Sequence, residues 1–419
     1  MRSTGDHIPL TRPWGRAAVG RAIPWGAAEP WKTAPRAGRS TGGRPHRLSG
    51  DQVHPVQIVD LFAGPGGLDV AATKLGVAAA GVEWDSAACT TRRAAGLVTV
   101  EGDVRRYGPS HFPDADVLAG GPPCQTFTVA GGGAGRRALD DVLAFVARMV
   151  AREGREEIAK DLSKMEDERT GLVLEPLRWV LEAIDVHDAP YRAIVLEQVP
   201  AVLPVWEAYA QALRGEGYSV DCGLLRTEAY GVPQTRRRAV LIARMGGEDV
   251  RLPAPTHRTY RKGLPRDAGD STLQPWRTMG EVLPERESPF HVVSNYGTGG
   301  DPKARGRRSS SEPSATVTGK ISRNRVLAPD GGEDRFSPSE AGRLQTFPKD
   351  YPWLGRDVGQ QIGNAVPPRL AMHVLCAAFG WAPPSDAMLR SLETWETQPA
   401  FVPDARVREP EVASVAQYV

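Results

Sequence analysis

Cys124 has the clearest capacity for covalent chemistry in this sequence. It follows two glycines and two prolines in GGPPCQTFT, directly after the strand-like segment Asp116–Ala119. Proline fixes φ and lacks a backbone donor, so Pro122 and Pro123 predict a stiff turn that holds the sulfur at the end of a strand. A free thiol has a pKa of about 8.5, so attack at neutral pH requires nearby positive charge or a helix N-terminus. This setting favours a nucleophile over a buried structural cysteine.

Charged side chains that could assist a nucleophile stand beside two other strand-like runs. Glu197 ends the apolar run YRAIVLE, and the arginines of QTRRR precede the run Ala239–Ala243. A carboxyl group suits acid–base chemistry. Taken alone, Glu197 would be an exposed strand-end acid, and the arginines would be a solvated turn or a phosphate contact. Because Glu197 follows an apolar strand, as Cys124 does, the two side chains are expected at the same sheet edge.

A glycine-rich turn predicts a ligand site at the same sheet edge. In DLFAGPGGL, Gly64, Gly66 and Gly67 allow a sharp turn and a close approach to a ligand. Nineteen positions after Gly64, GVEWD places Glu83 at the next strand end, where its carboxylate could accept both ribose hydroxyls. Trp84 adds a flat face for an adenine.

Asp103, in GDVR after a third strand, could accept from the adenine amino group. No Gly-Lys-Ser/Thr follows the glycine turn, and Pro65 interrupts the GxGxxG pattern, so phosphate binding is not its evident purpose. A sulfonium ligand such as S-adenosylmethionine needs no phosphate cradle. The pattern therefore favours S-adenosylmethionine over a dinucleotide.

Alternating strand-like and helix-length segments must position these residues. The run VQIVD is followed by strand-like runs separated by helix-length stretches, which predicts an α/β fold with a doubly wound, mostly parallel sheet. The further runs are Ala79–Val82, Asp116–Ala119, Ala193–Leu196 and Ala239–Ala243.

Four segments depart from this alternation. Residues 1–54, in which the first fifty carry nine Lys/Arg against two acids, predict a disordered basic tail. Residues 139–183 predict one or two long amphipathic helices that pack as an arm. Residues 246–320, rich in Pro, Gly and Arg, predict a small inserted domain, and residues 381–419 predict a loosely structured tail.

The composition excludes several classes of protein. The four cysteines are far apart and form no zinc-type spacing, which predicts reduced thiols and no metal site. No apolar stretch is long enough to span a membrane, and the N-terminal residues lack the apolar segment of a secretion signal. We therefore expect a cytoplasmic protein. The net charge of +2 says little about partners, so local basic clusters carry more weight.

Six sequence blocks together resemble the cytosine-5 DNA methyltransferase family, of prokaryotic or phage type. DLFAGPGG, GGPPCQ, LEQVP, QTRRR, RLQTFP and QIGNAVPP stand in that family's order across roughly residues 55–380. The resemblance implies the fold of S-adenosylmethionine-dependent methyltransferases with a smaller inserted target-recognition domain. It also implies methyl transfer from S-adenosylmethionine to carbon 5 of a cytosine flipped out of double-stranded DNA.

The resemblance also implies roles for individual residues. Cys124 would attack carbon 6 of the cytosine, Glu197 would hold or protonate N3, and Arg236 and Arg238 would brace O2 and the active site. Asn364, in the last block QIGNAVPP, would bind at the cofactor site as a hydrogen-bond partner of a backbone group or a carboxylate. The implied cofactor-binding residues are Phe62, Gly64, Gly66, Gly67, Leu68, Glu83, Trp84, Asp103, Pro123, Asn364 and Val366.

The family layout divides the chain into functional parts. Residues 55–245 and 321–380 would form the catalytic domain, and residues 246–320 would recognise the DNA target. Within the latter, RTYRKGLPR and KARGRR supply phosphate contacts and a guanine-reading arginine, or are merely solvated surface. The glycine-rich segment Gln125–Arg137 is expected to close over DNA, and RLQTFP is expected to brace the two domains.

Two departures from the family pattern keep alternatives open. Gln198 stands where the family has Asn, and Thr128 where it usually has Ser. A tRNA methyltransferase lacks support because no cysteine lies between Cys222 and Cys376 to form that subfamily's signature. A dehydrogenase leaves GGPPC unexplained, and Gln198 leaves room for an inactive DNA-binding protein. The expected partners are double-stranded DNA and a cognate restriction endonuclease acting separately, with a monomeric, nucleoid-associated enzyme.

Overall fold

A seven-stranded sheet forms the centre of the chain. The computed structural model describes residues 57–123, 134–164, 168–246, 249–294 and 306–397. The sheet has the order β3-β2-β1-β4-β5-β7-β6, with β7 antiparallel to both its neighbours and the other pairs parallel. The predicted doubly wound, mostly parallel sheet is confirmed. Its strands are β1 (Ile58–Leu61), β2 (Ala79–Glu83), β3 (Val98–Glu101), β4 (Val117–Gly120), β5 (Ala193–Gln198), β6 (Tyr218–Arg226) and β7 (Arg237–Met245).

Helices cover both faces of this sheet, which is why β1 is buried along its whole length. Val59 and Leu61 join the core on one face with Trp179 and Trp206, while Ile58 joins the core on the other face. This alternation is the period of two expected of a strand. The helices of this part are α1 (Gly67–Lys74), α2 (Ser86–Ala94), α3 (Ala134–Val150), α4 (Arg155–Leu162), α5 (Glu175–Asp185) and α6 (Leu203–Gly215).

The predicted amphipathic segment 139–183 forms more helices than expected. Helices α3, α4 and α5 and the 3-10 turn Glu168–Leu174 cover most of it. Val142 and Val146 on α3 are buried in the same core as Trp179 on α5. The apolar stripe therefore packs against the main sheet layer.

A smaller antiparallel sheet has the order β11-β10-β8-β9 and lies over its own apolar cluster, which includes Met279, Phe290 and Val326. The predicted domain boundary at residue 320 falls between two strands of this sheet. The remaining elements are α7 (Met279–Val282), β8 (His291–Val293), β9 (Arg307–Ser309), β10 (Arg325–Leu327), β11 (Glu333–Asp334), α8 (Pro338–Leu344), α9 (Val358–Asn364), α10 (Pro368–Phe379) and α11 (Asp386–Ser391).

The C-terminal segment differs from the expected loose tail in its described part. Helix α11 is capped by the Ser385 side chain, and the indole of Trp395 is buried. The Trp395 indole N–H donates to the backbone oxygen of Ala95 at 3.1 Å. This contact anchors residues 386–395 to the main domain. Residues 1–56 and 398–419 lie outside the described part of the chain.

Candidate active site

A cavity of about 770 Å³ opens where β1, β2, β4 and β5 end. Its wall contains Glu83 at the end of β2, Trp84 directly after it and Asp103 after β3, which are named here the β2–β3 wall. It also contains a second group, named the β5–β7 wall, which consists of Glu197 and Gln198 on β5, Arg238 on β7 and Arg236 directly before β7. The same cavity touches every predicted ligand-binding residue except Gly66.

The glycine turn brings backbone close to the cavity. Phe62 and Gly64 both have positive φ, of 60° and 55°, and Gly66 begins α1 at a φ of 100°. A Cβ on Gly67 would lie 2.1 Å from the backbone oxygen of Val366. Only glycine permits this approach. The first and last blocks of the predicted site are therefore in direct contact.

Glu83 is held by backbone donors on both sides. One of its oxygens accepts from the Gly64 N–H and the other from the Asp85 N–H, both at 2.7 Å. Burial raises the pKa of Glu83 above its usual range, although both hydrogen bonds oppose that rise. Beside it, the Trp84 side chain is 68% exposed. An acceptor and a bare aromatic face thus adjoin one cavity.

Asp103 and Asn364 have polar partners within the protein. Asp103 begins a 3-10 turn by accepting from the Arg105 N–H, and its carboxylate also pairs with the Arg105 guanidinium at 2.6 Å. Asn364 is exposed at the end of α9 and accepts from Gln360 at 2.7 Å. Both side chains contribute to the cavity wall, so an incoming ligand would meet or replace these partners.

The β5–β7 wall carries a nearly buried ion pair. Strands β5 and β7 run antiparallel with Glu197 opposite Val240, which puts Arg238 close to the carboxylate. Glu197 and Arg238 approach within 2.7 Å, and each side chain is 11% exposed. Burial lowers the pKa of Arg238, and the neighbouring carboxylate opposes this. Low exposure makes the pair electrostatically stronger than a surface pair.

Arg236 is bound to backbone on three sides. Its guanidinium donates to the carbonyl oxygens of Val317 at 3.0 Å, Gly363 at 2.9 Å and Ala365 at 3.3 Å. Burial lowers the pKa of Arg236 well below its usual value. The side chain connects the start of β7 to the part of the chain that contains β8 to β11, called here the small-sheet region, and to the end of α9, where the cavity wall continues. Its geometry is that of a brace.

Pro122 and Pro123 follow the end of β4, the strand that lies between β1 and β5 at the edge of the cavity. Pro123 lines the cavity, and the Pro122 carbonyl accepts from the Gln198 side-chain amide at 2.5 Å. Two residues singled out in the sequence lie outside the described residues: the predicted nucleophile Cys124, and Thr128, which stands where the family usually has Ser. The expected closing segment Gln125–Arg137 is described only from residue 134, where α3 begins.

A buried network beneath the glycine turn was not predicted. The Asp69 carboxylate and the Arg92 guanidinium form a two-pronged ion pair at 2.7 and 2.9 Å, almost without exposure. Burial and the nearby Asp69 carboxylate raise the pKa of Asp60 well above its usual range. The Tyr351 hydroxyl donates to the Pro65 carbonyl at 2.5 Å. DLFAGPGGLD does carry both acids, but its pattern does not indicate their partner on α2.

Two buried glutamines connect three of the recognised blocks. Gln234, of QTRRR, contacts the side chain of Gln345, of RLQTFP, and accepts from the Val317 N–H at 2.7 Å. Gln345 in turn donates to the Ile362 carbonyl at 2.7 Å. These contacts cross between the main sheet and the small-sheet region, as a brace must.

The predicted DNA-contacting clusters divide into paired and exposed cations. Arg266 forms an ion pair with Glu281 at 2.5 Å, whereas Arg261 and Lys262 are exposed. Arg308 stacks over the Tyr260 ring at 4.3 Å. Residues 303–305 of the second cluster lie outside the described part of the chain.

Comparisons with known proteins agree on one family. The family model for C-5 cytosine-specific DNA methylases matches residues 56–153, 158–277 and 270–379. A Type II methyltransferase, M1.HphI of Haemophilus parahaemolyticus, is 27% identical over 356 residues, covering 75% of this chain and 84% of that protein. M.NgoFVII of Neisseria gonorrhoeae, also a Type II methyltransferase, is 29% identical over 360 residues, covering 75% and 83%.

Solved structures share the fold. The Dnmt2 methyltransferase of S. pombe has a TM-score of 0.50 at 15% identity, covering 78% of this chain and 98% of that one. A mutant DNMT2 of Spodoptera frugiperda has a TM-score of 0.51 at 17% identity, covering 77% and 99%. Among the described residues, no helix combines the length and apolar character needed to cross a membrane.

Proposed function

The chain belongs to the C-5 cytosine-specific DNA methylase family and is a DNA (cytosine-5-)-methyltransferase that uses S-adenosylmethionine, and we propose that Cys124 is its nucleophile. One observation carries the proposal: a single cavity contains both the β2–β3 wall and the Glu197–Arg238 pair, and Pro123, which precedes Cys124, lines it between them. The three other cysteines are poorer candidates, because burial raises the pKa of the Cys89, Cys222 and Cys376 thiols.

The β2–β3 wall fits an adenosine-bearing ligand. We propose that Glu83 accepts from the ribose hydroxyls, that Trp84 stacks on the adenine and that Asp103 accepts from its amino group. Trp84 is exposed although it is a large aromatic side chain, as a stacking face requires. When bound, S-adenosylmethionine supplies an electrophilic methyl group. The remaining proposed contacts are Phe62, Gly64, Gly66, Gly67, Leu68, Pro123, Asn364 and Val366.

The β5–β7 wall would activate the cytosine ring. The Cys124 thiolate adds to carbon 6, and the Glu197 carboxyl holds a proton at N3, so electron density moves to carbon 5. Carbon 5 would then bond to the methyl carbon while the methyl–sulfur bond breaks, its electron pair going to the sulfur, so that S-adenosylhomocysteine is the leaving group. Loss of the carbon 5 proton to a base and elimination of the thiolate restore the aromatic ring and the free enzyme.

The two arginines would divide the supporting work. Arg238 lies within ion-pair distance of Glu197 and would hold that carboxyl and the cytosine O2 in place. Arg236 donates through its two terminal nitrogens to three backbone carbonyls. We therefore assign Arg236 to positioning the β5–β7 wall.

The small-sheet region is the part of the chain that would contact DNA. We propose that residues 246–320 choose the target, with residues 55–245 and 321–380 forming the catalytic domain. Exposed Arg261 and Lys262 suit phosphate contacts. The cytosine must leave the duplex to enter the cavity, because its ring faces are covered in the stack.

The context proposed for the enzyme follows from its relatives. Those relatives are named Type II methyltransferases, so we propose a role in a restriction–modification pair with a separately acting endonuclease. We further propose a monomer that acts on double-stranded DNA in the cytoplasm, close to the nucleoid.

Trapping on modified DNA tests the nucleophile. DNA with 5-fluorocytosine at the target should form a covalent complex with the wild type and cofactor, because fluorine does not leave as a proton does. Cys124→Ala should abolish the complex, whereas Cys222→Ala, which changes a half-buried cysteine on β6, should preserve it. A complex that persists in Cys124→Ala would contradict the assignment.

A further inference from the structure

The pairing between β4 and β5 stops where the nucleophile segment begins. In the parallel register Leu196 lies opposite Gly120, so two residues farther on Gln198 comes beside Pro122. The ladder cannot continue through backbone donors there, because neither Pro122 nor Pro123 has an N–H. Gly121 donates toward β1 instead, to the Leu61 carbonyl at 3.1 Å.

The Gln198 side chain replaces the missing backbone bond. Its amide nitrogen donates to the Pro122 carbonyl at 2.5 Å, and its amide oxygen accepts from the Val199 N–H at 2.5 Å. These two partners allow only one orientation of the amide, because the end facing Val199 must be the acceptor. Gln198 is therefore a clamp between the end of β5 and the turn that leads to Cys124.

We propose that Gln198 is a positioning residue that holds the nucleophile segment beside the Glu197–Arg238 pair. This inference rests on the proposed role of Cys124. Glu197 precedes Gln198 on β5, and Pro122 precedes Cys124 by two residues, so one amide connects the strand that carries Glu197 to the proline pair that leads to Cys124. In this chain the reach of Gln, one methylene longer than Asn, matches the spacing of the two segments.

The decisive variant keeps the shape and removes the donor. Gln198→Glu has the same length, but its carboxylate faces the Pro122 carbonyl with an acceptor. We expect kcat at pH 8 to fall roughly 10- to 100-fold, because small misplacements of reacting groups are costly. The KM values for DNA and cofactor should stay within about threefold, because the β2–β3 wall is untouched.

The pH dependence separates a lost donor from general damage. The introduced carboxyl gains a proton as the pH falls and can then donate an O–H to the Pro122 carbonyl. The ratio of variant to wild-type kcat should therefore rise between about pH 8 and about pH 5.5, since burial raises such a pKa. Gln211→Glu, the same change at an exposed position on α6, should keep a ratio near one throughout.

Several results would overturn the proposal. A wild-type kcat in Gln198→Glu at pH 8 would exclude the clamp, and so would a lowered ratio that stays flat with pH. If Gln198→Glu fails to fold, Gln198→Asn takes its place: it should lower kcat about tenfold without changing either KM, and full activity would count against the proposal. If Cys124 is not the nucleophile, a different experiment shows it: the Cys124→Ala variant would still form the covalent complex with DNA that carries 5-fluorocytosine.

Discussion

The two walls of the cavity are built in opposite ways. The β2–β3 wall presents an exposed indole and two carboxylates, of which Glu83 is held by backbone N–H groups and Asp103 by one backbone N–H and the adjacent Arg105 guanidinium. The β5–β7 wall holds a nearly buried ion pair and a guanidinium bound to three carbonyls from distant segments. Binding a flat ligand needs an open surface, whereas catalysis needs charges fixed before the substrate arrives. Substitutions should therefore affect affinity at the first wall and turnover or folding at the second.

The largest effect should come from Glu197→Gln. The change keeps the shape of the side chain but removes both its charge and its proton chemistry, so kcat should fall on the order of 10³-fold. Cofactor affinity should be unchanged, because Glu197 belongs to the β5–β7 wall. The measurements are kcat from methyl transfer to DNA and the dissociation constant of S-adenosylhomocysteine.

Glu207→Gln, the same substitution on the exposed face of α6, provides the control and should leave both quantities unchanged. If Glu197→Gln weakened cofactor binding and spared kcat, the division between the two walls would fail.

The next effect concerns folding. Arg236→Met removes the cation yet keeps much of the volume, and it leaves three buried carbonyl oxygens without their donor. We expect the free energy of unfolding to fall by about 3 kcal/mol, measured from the midpoint of urea unfolding. Arg237→Met is the matched control, because Arg237 is the next residue in the chain and is exposed at the start of β7. Equal losses of unfolding free energy in the two variants would contradict the bracing role of Arg236 in the β5–β7 wall.

Local patterns carried the prediction of the fold and of the β2–β3 wall. The glycine turn, Glu83 and Trp84 follow strands within a few residues, so the geometry of one βαβ unit is enough to bring them together. The expected alternation also placed Glu197 and Arg238 at one sheet edge, though not at a given distance.

The remaining features depend on partners far away in the sequence. Arg236 meets carbonyls more than 80 residues later, and nothing in QTRRR indicates which they are. Asp69 and Arg92 are joined across two elements, and Trp395 reaches back to Ala95. Such contacts follow from tertiary packing, which overrides short-range patterns.

The smallest effect is expected at the β2–β3 wall and depends on pH. Glu83→Gln should raise the dissociation constant of S-adenosylhomocysteine about tenfold at pH 7.5, because one charge-assisted hydrogen bond is lost. The kcat at saturating cofactor should be unchanged. Burial raises the pKa of Glu83, so its carboxylate takes up a proton at a higher pH than an ordinary glutamate. Protonation weakens it as an acceptor.

Wild-type affinity should therefore fall severalfold as the pH drops from about 7.5 to about 5.5, while Glu83→Gln should bind with nearly the same affinity at both values. Glu101→Gln, which changes an exposed carboxylate at the end of β3, should follow the wild type. Parallel pH curves for wild type and Glu83→Gln would assign the pH dependence to another group. They would also mean that Glu83 contributes through its shape alone, so that its charge plays no part in cofactor binding at the β2–β3 wall.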